Sequence, residues 1–387
     1  MARRRASSPG STASLRNANQ QRVLDVLRAE GSHPHTQADL ARTTGLAPAT
    51  VSNIVRDLSA AGLVEAESGS GRRGSSIWLS RSAGLVAGVD FGHTHVAVAI
   101  GDLTGRVLAE EFRPLEATHR YADSLALAAR LLDNLTGSLS SRRDAVLRVG
   151  MGIPAPVTRD VVLAAGILPG WQGIDARTVA QQVFKLPVDV ENDANLGALA
   201  EHRQGVARGH SNSVFVKLSS GVGAGIVLNN QLFHGASGTA GELGHLTLDE
   251  QGPLCRCGGR GCLEAYSSTG TVLSMMSGLL PDATLDDVIA AGRRGNVAAQ
   301  RALEDAGLHL GWGLAGVVTL LNPEVVVVGG DMARAGELLL DSARIGLRRH
   351  ALDAVATTPV YASELGERAS LVGAVVLAAE HTELTLD

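Results

Sequence analysis

Apolar positions recur with helical spacing in the first part of the chain and bunch into short strand-like runs in the rest. From Gln20 onward Val23, Leu24, Val26 and Leu27 mark an amphipathic helix ending near Gly31. Thr36-Gln-Ala-Asp39 has the form of a capping box and opens a short helix through Leu40 and Ala41. Thr44-Gly45-Leu46 supplies a turn, and Pro48 stands where a first helical residue is expected. A third helix is predicted to about Ala61, with Val51, Ile54, Val55 and Leu58 as its apolar stripe. Gly62-Leu-Val64 then enters a β-ribbon whose tip is Gly69 to Ser75, returning through Ile77-Trp-Leu79. The pattern predicts a winged helix-turn-helix over residues 18–82, preceded by a disordered basic tail over residues 1–17.

On the third helix Ala49, Thr50, Ser52, Asn53 and Arg56 lie off the apolar stripe. Small and hydrogen-bonding side chains near a helix N-terminus can reach base edges in a major groove. Arg72 and Arg73 at the ribbon tip are placed to enter a minor groove or grip phosphates. The alternative is a three-helix protein-interaction module. Charge favours DNA: residues 1–82 hold 11 Arg/Lys against 6 Asp/Glu, while the whole chain is at −5. A basic head therefore sits on an acidic body.

Beyond Ser82 the pattern is α/β. Leu85 to Gly92 is an apolar strand running into Asp90-Phe-Gly-His-Thr94, followed by strands from Val96 to Ile100 and Arg106 to Phe112. A similar arrangement returns about 120 residues later, by the same sequence spacing. Val214 to Leu218 enters Ser219-Ser-Gly-Val-Gly-Ala-Gly225, continues through Ile226-Val-Leu228 and turns at Asn229-Asn230. Two glycine-turned hairpins imply two α/β lobes facing a cleft, the first over 83–200 with the C-terminal helix 366–387 returning to it, the second over 201–365. Glycine-rich turns expose backbone N–H groups and admit phosphate, so Asp90, Gly92, Thr94, Gly221 and Gly223 are candidate nucleotide contacts, joined by Gly329 and Gly330 after Asn322-Pro-Glu-Val-Val-Val-Val. Their alternative reading is hairpin turns in an inherited scaffold.

With 45% hydrophobic residues, 46 glycines and no run of 18 uncharged apolar residues, the composition is that of a soluble α/β protein without a membrane span. The basic N-terminus has no apolar stretch behind it, so it is not a secretory signal, and a cytoplasmic, nucleoid-associated location is expected. All three cysteines, Cys255, Cys257 and Cys262, fall in one glycine-rich loop with His245 ten positions ahead. Three thiols and an imidazole make the ligand set of a closed tetrahedral zinc site, and a structural Zn2+ over 245–262 is expected. Incidental buried cysteines are the alternative; a disulfide is disfavoured by the closeness of Cys255 and Cys257 and by the odd thiol.

Polar residues also gather at element ends. Val188 to Asn195 runs from a strand into a helix and places Asn192 and Asp193 at a strand's C-terminal end, where α/β clefts lie. Asp193 suits a general base on a hydroxyl or a helix cap. Glu242-Leu-Gly-His245 and Cys262-Leu-Glu264 flank the cysteine loop, completing a set of hydroxyl-binding groups. Loops around Gly152-Ile-Pro-Ala-Pro156 and Gly166 to Trp171 are expected to set ligand specificity.

Together, Glu242-x-Gly-His245, the His-x9-Cys-x-Cys-x4-Cys loop, Glu191-Asn-Asp-Ala194 and Asn322-Pro through Gly330 resemble the ROK family, which groups bacterial repressors with sugar kinases. The similarity covers about residues 15–380, and the head resembles the repressor branch. The resemblance implies an actin-like (ribonuclease H-like) two-lobed body, a bound zinc, a sugar in the cleft, and frequently a dimer or tetramer. By residue match Asn192, Asp193, Glu242, His245 and Glu264 would contact the sugar, and in a kinase Asp193 would take the proton of the attacking hydroxyl. The chain departs in the first phosphate turn: where the family's kinases read Asp-x-Gly-Gly-Thr-Lys, it has Asp90-Phe-Gly-His-Thr-His95. A ring at His93 is expected to crowd a phosphate; Ser220 and Ala224 are milder changes. The expected function is sugar-responsive binding of a double-stranded DNA operator, as a repressor released by its sugar and with no enzymatic activity. Two alternatives are an active ATP-dependent sugar kinase carrying a DNA-binding head, and control by a protein partner that sequesters the head.

Overall fold

The computed structural model describes residues 12–29, 34–67, 75–116, 119–163 and 168–384. The head contains α1 (Thr12–Ala29), α2 (Gln37–Thr44), α3 (Pro48–Ala60) and the antiparallel ribbon β1 (Val64–Glu67) with β2 (Ser76–Leu79). The capping box forms, Thr36 Oγ1 accepting from the Asp39 N–H and Asp39 Oδ2 accepting from the Thr36 N–H, both at 3.1 Å. Gly45 ends α2 at φ +68°, a left-handed conformation that favours glycine. Val51, Ile54, Val55 and Leu58 are buried against Val23, Leu24, Leu27 and Leu40. One expectation fails at the start: α1 begins at Thr12, so residues 12–17 are helical rather than disordered. This stretch lacks apolar periodicity but also lacks a helix breaker, and Arg16 ties it to Asp57 of α3 at 2.6 Å. The tail 1–11 and the ribbon tip 68–74, which carries Arg72 and Arg73, lie outside the described residues.

The first lobe runs β3 (Leu85–Phe91), β4 (His95–Asp102), β5 (Val107–Pro114), α4 (Tyr121–Ser138), β6 (Val146–Ile153), the small ribbon β7 (Val157–Thr158) and β8 (Val161–Val162), α5 (Ala176–Phe184), β9 (Val188–Asn192) and α6 (Asp193–Gln204). The second runs β10 (Ser213–Leu218), β11 (Val222–Leu228), β12 (Gln231–Leu232), α7 (Glu264–Ser267), α8 (Thr269–Met276), α9 (Leu285–Arg293), α10 (Val297–Leu321), β13 (Val325–Gly329), α11 (Glu337–His350), β14 (Val360–Ala362) and finally α12 (Ala369–His381). The two five-stranded sheets have the same topology: β5-β4-β3-β6-β9 and β12-β11-β10-β13-β14. In each, three strands form an antiparallel meander and two more join in parallel. The repeat inferred from the glycine-turned hairpins is therefore a repeat of whole sheets.

Each sheet is covered by the helix that follows the other. Helix α12 lies on the first sheet, where a Cβ at Gly150 would sit 2.0 Å from the Ala374 carbonyl oxygen. Helix α6 lies on the second, where a Cβ at Gly225 would sit 2.4 Å from the Ala194 carbonyl oxygen. The two helices cross at Gly373, against the Leu196 carbonyl. The expected lobe boundary at residue 200 falls inside α6, which runs from Asp193 to Gln204 and packs on the second sheet. The head shares a continuous apolar core with α12 through Leu371, Val375, Ala378 and Ala379, together with Leu384. The Arg28 guanidinium, buried in that junction, donates to the Thr382 carbonyl at 2.5 Å.

Candidate functional site

On α3, Ala49, Ser52, Asn53 and Arg56 are exposed and Thr50 is half-buried, so the face opposite the core stripe is presented outward. Arg56 has only a loose approach to Asp57, 3.6 Å away. This outward face is the exposed side of α3 in the head. It carries hydrogen-bonding side chains of the length that reaches base edges.

The cysteine loop closes into a cluster. One ligand atom from each of His245, Cys255, Cys257 and Cys262 lies within 4.8 Å of the others. Cys257 Sγ and Cys262 Sγ are 3.7 Å apart, and Cys255 Sγ is 3.8 Å from His245 Nδ1. A tetrahedron with Zn–S bonds of about 2.3 Å has S···S edges of about 3.8 Å, so the group can hold a metal with little movement. The sharp return of the loop needs Gly261 at φ +62°, where a Cβ would meet the Asp249 carbonyl oxygen at 1.6 Å. With Nδ1 facing Cys255, His245 Nε2 turns towards Glu242, 4.0 Å from Oε2. A metal on the first nitrogen would thus fix how the second faces the cleft.

The cleft lies at the C-terminal ends of β3, β6 and β9, where Asp90, Gly152 and Glu191 pair across the first sheet. Asp193 begins α6 and is 7% exposed. It is not the helix cap: Asn192 Oδ1 accepts from the Ala194 and Asn195 N–H groups at 2.9 and 3.2 Å, and this releases the Asp193 carboxylate for other work. That carboxylate meets Lys217 of β10, whose Nζ is 2.7 Å from Oδ2. Burial lifts Asp193 above the usual carboxylate range, and Lys217 opposes the shift. Against the desolvation that would lower it, Asp193 and Asp90 raise Lys217 and keep it charged. Glu242 is raised mainly by burial; His245 pulls it back, while Asp193 and Glu264 push it further. The acidic groups therefore converge on one space.

Glu264 is brought to that space but is already engaged. Its oxygens take the Arg256 guanidinium, Nε to Oε1 and Nη2 to Oε2 both at 2.7 Å, and Oε2 also accepts from the Val222 N–H. A sugar contact by Glu264 would have to be shared with Arg256. Glu191, part of the Glu-Asn-Asp-Ala motif, accepts from the Asn192 N–H and from Asn195 Nδ2, and it pairs with His234 at 2.6 Å. This interaction raises His234, burial opposing.

The first phosphate turn is narrowed by the His95 ring. Gly92 N–H donates to the His95 carbonyl at 2.9 Å, and the His95 ring folds over the glycine; a Cβ at Gly92 would lie 2.1 Å from its Cε1. The same ring stacks on Phe112 at 4.9 Å and approaches Asp90 at 3.6 Å. The His95 ring, at the start of β4, therefore covers the turn. Thr94 is exposed at the tip, away from Asp90, which is 2% exposed. In spite of burial, Lys217 and His95 hold the Asp90 carboxyl below its usual range. In the second lobe Lys217 is flanked in the sheet by Gly223 and Gly329. Gly221 lies in the turn between β10 and β11, its carbonyl accepting from the Ser219 N–H at 2.9 Å. Gly330, at φ +81°, packs against Leu218 and Ser219, and Ser219 Oγ accepts from the Asp331 N–H at 3.1 Å. Of the two loops expected to set specificity, Gly152 leaves room for Asp90, a Cβ there falling 2.9 Å from Oδ1. Trp171 instead belongs to the core, fully buried beside Phe91 at a ring separation of 5.1 Å.

Lys217, Arg256 and His234 were missed from the sequence. A lysine inside the apolar run Val214-Phe-Val-Lys-Leu218 was a readable signal, since lysine is seldom buried without a partner.

The ROK family profile matches residues 86–381 and a MarR family profile matches residues 17–74. The xylose repressor of Bacillus subtilis (strain 168) is 28% identical over 373 residues, 95% of this chain and 96% of the relative. The DNA-binding transcriptional dual regulator NagC of Escherichia coli (strain K12) is 29% identical over 394 residues, 96% of each. Among solved structures, a ROK family transcriptional regulator homologous to the E. coli MLC protein superposes with a TM-score of 0.77 at 26% identity, over 94% of this chain and 96% of that one. A ROK family glucokinase from Streptomyces griseus, in complex with glucose and AMPPNP, gives a TM-score of 0.68 at 30% identity, over 76% of this chain and 99% of that one. With two repeated sheets, helices exchanged between them and a family match across the whole body, this chain belongs to the ROK family, with a MarR-type winged helix at its N-terminus.

Proposed function

We propose that this protein is a transcriptional repressor whose operator binding is released by a sugar. The observation that carries the reading is the pairing, in one chain, of an outward-facing α3 in the head with a body whose first glycine turn is covered by the His95 ring. The head would bind double-stranded DNA through Ala49, Thr50, Ser52, Asn53 and Arg56, with Arg72 and Arg73 on phosphate or in the minor groove. Two-fold symmetry of a homodimer or homotetramer would match it to half-sites of a palindromic operator. The sugar would lie among Asn192, Asp193, Glu242 and His245, with Glu264 shared with Arg256.

His245, Cys255, Cys257 and Cys262 would hold a structural Zn2+, which supplies rigidity to the loop and fixes the His245 tautomer. Phosphoryl transfer is not expected. A nucleotide phosphate needs the backbone at Gly92 and Gly221, and the His95 ring already lies over the first of these. Names among the relatives support the sugar class, including the xylose repressor and an N-acetylglucosamine repressor.

The test is fluorescence anisotropy of zinc-loaded protein on its own upstream DNA, titrated without ATP with D-xylose, N-acetyl-D-glucosamine, D-glucose and their phosphates. Tight binding released by one of these supports the reading. Binding that no sugar alters would replace it with control by a protein partner, and ADP release abolished by Asp193→Asn would replace it with a sugar kinase.

A further inference from the structure

We propose that Lys217 is the resident cation of the cleft: its ammonium, paired with Asp193, supplies from the chain the positive charge that phosphoryl transfer would take from a divalent metal. This rests on the cleft being a sugar site. Phosphoryl transfer generally requires a divalent ion held by carboxylates and bridging the phosphate oxygens. Here both carboxylates are buried, at 2% and 7% exposure, and the charge that compensates them comes from the chain. Lys217 Nζ lies 2.7 Å from Asp193 Oδ2 and 3.2 Å from Ser370 Oγ, and Ser370 Oγ donates onward to the Asp193 carbonyl at 2.9 Å.

The lysine is delivered from the other lobe. It projects from β10 of the second sheet, where its neighbours across the strands are Gly223 and Gly329. Asp90 Oδ1 is buried without a hydrogen-bond partner among the described residues, and the charges of Asp90 and Lys217 act on each other although it is Asp193 that holds the ammonium. A tethered ammonium brings one positive charge rather than two, cannot bridge two phosphates and cannot leave with a nucleotide. It keeps Asp193 available to accept from a sugar hydroxyl while excluding the metal that chemistry would need. Lys217 is thus a positioning residue, and it ties the two lobes together at the base of the cleft.

Mn2+ is the probe, followed by electron paramagnetic resonance on zinc-loaded full-length protein. Lys217→Ser should expose a single Mn2+ site, about tenfold or more tighter than anything the native cleft shows, and Lys217→Ser with Asp193→Asn should lose it. Sugar affinity should fall by about tenfold in Lys217→Ser and recover in part on saturating Mn2+, a rescue that a merely structural lysine would not produce. If the serine variant does not fold, Lys217→Gln, which can still donate to Asp193, takes its place with the same expected gain of Mn2+. A variant that folds and binds Mn2+ no better than the native protein overturns the proposal, whatever happens to sugar binding. If neither native protein nor variant binds any sugar, the reading of the cleft as a sugar site fails, and the Mn2+ titration still decides the role of the lysine.

Discussion

Severing Arg28 from Thr382 should uncouple the head from the cleft. Helix α12 spans the distance between them: near its start Ser370 touches Lys217 and the Asp193 backbone, and past its end the Thr382 carbonyl accepts from Arg28 of α1. Thirteen helical residues reach about 20 Å. The Arg28 side chain is 7% exposed, and burial lowers its pKa while Asp25 and Glu380 oppose the shift, so it remains a cation in a confined place. A hydrogen bond to a charged group contributes about 1.5–3 kcal/mol, and allosteric coupling between sites typically amounts to about 1–3 kcal/mol. One contact of this size can therefore carry most of the signal. Arg28→Met keeps the packing of the stem and removes the donor. The expected result is a sugar-induced change in operator affinity reduced by about fivefold or more, read by anisotropy with and without sugar. Operator affinity in the absence of sugar should stay close to native, because α3 is untouched. A release ratio within about twofold of the native protein would refute this route through α12.

Removing zinc with a chelator, or substituting Cys255→Ser, should abolish the sugar response and lower the melting temperature by several degrees, seen by calorimetry; metal-free protein that binds sugar normally would detach His245 from the site. Replacing Arg72 and Arg73 by alanine should weaken binding to all DNA sequences and reduce the salt slope by about one to two, as measured by anisotropy across a salt series. His381, at the end of α12, is raised by its hydrogen bond to Asp189 against burial. Its contribution to stability is therefore fully present below the unfolded histidine pKa and is lost as pH rises through the folded value. His381→Leu should lower the melting temperature more at pH 6 than at pH 8.5, and an equal effect at both would exclude the ion pair as the cause.

What could be read from the sequence was what rests on short spacing. The capping box at Thr36, Pro48 opening α3 and the His245 and cysteine cluster each depend on residues that follow one another closely along the chain. The glycine-turned hairpins at Gly92 and Gly221 disclosed the two lobes, because a repeated turn between apolar runs survives as pattern. What escaped depends on groups that meet only in space. Lys217 of β10 meets Asp193 of α6, 24 residues away, and His234 meets Glu191, 43 residues away. Asn192 takes the cap that Asp193 could have taken, and that choice frees the carboxylate for the cleft. The exchange of α6 and α12 between sheets leaves only glycines such as Gly150 and Gly225 as its trace, and a glycine alone does not say which backbone comes close.

If sugar and operator compete through this one chain, linkage requires the competition to be reciprocal. Calorimetric titration of the effective sugar into zinc-loaded protein, free and then saturated with operator, tests it most directly. Operator should weaken sugar binding by the same factor by which sugar weakens operator binding. Equal sugar affinity in the free and DNA-bound protein would contradict it, and would leave the cleft and the head as two unconnected sites.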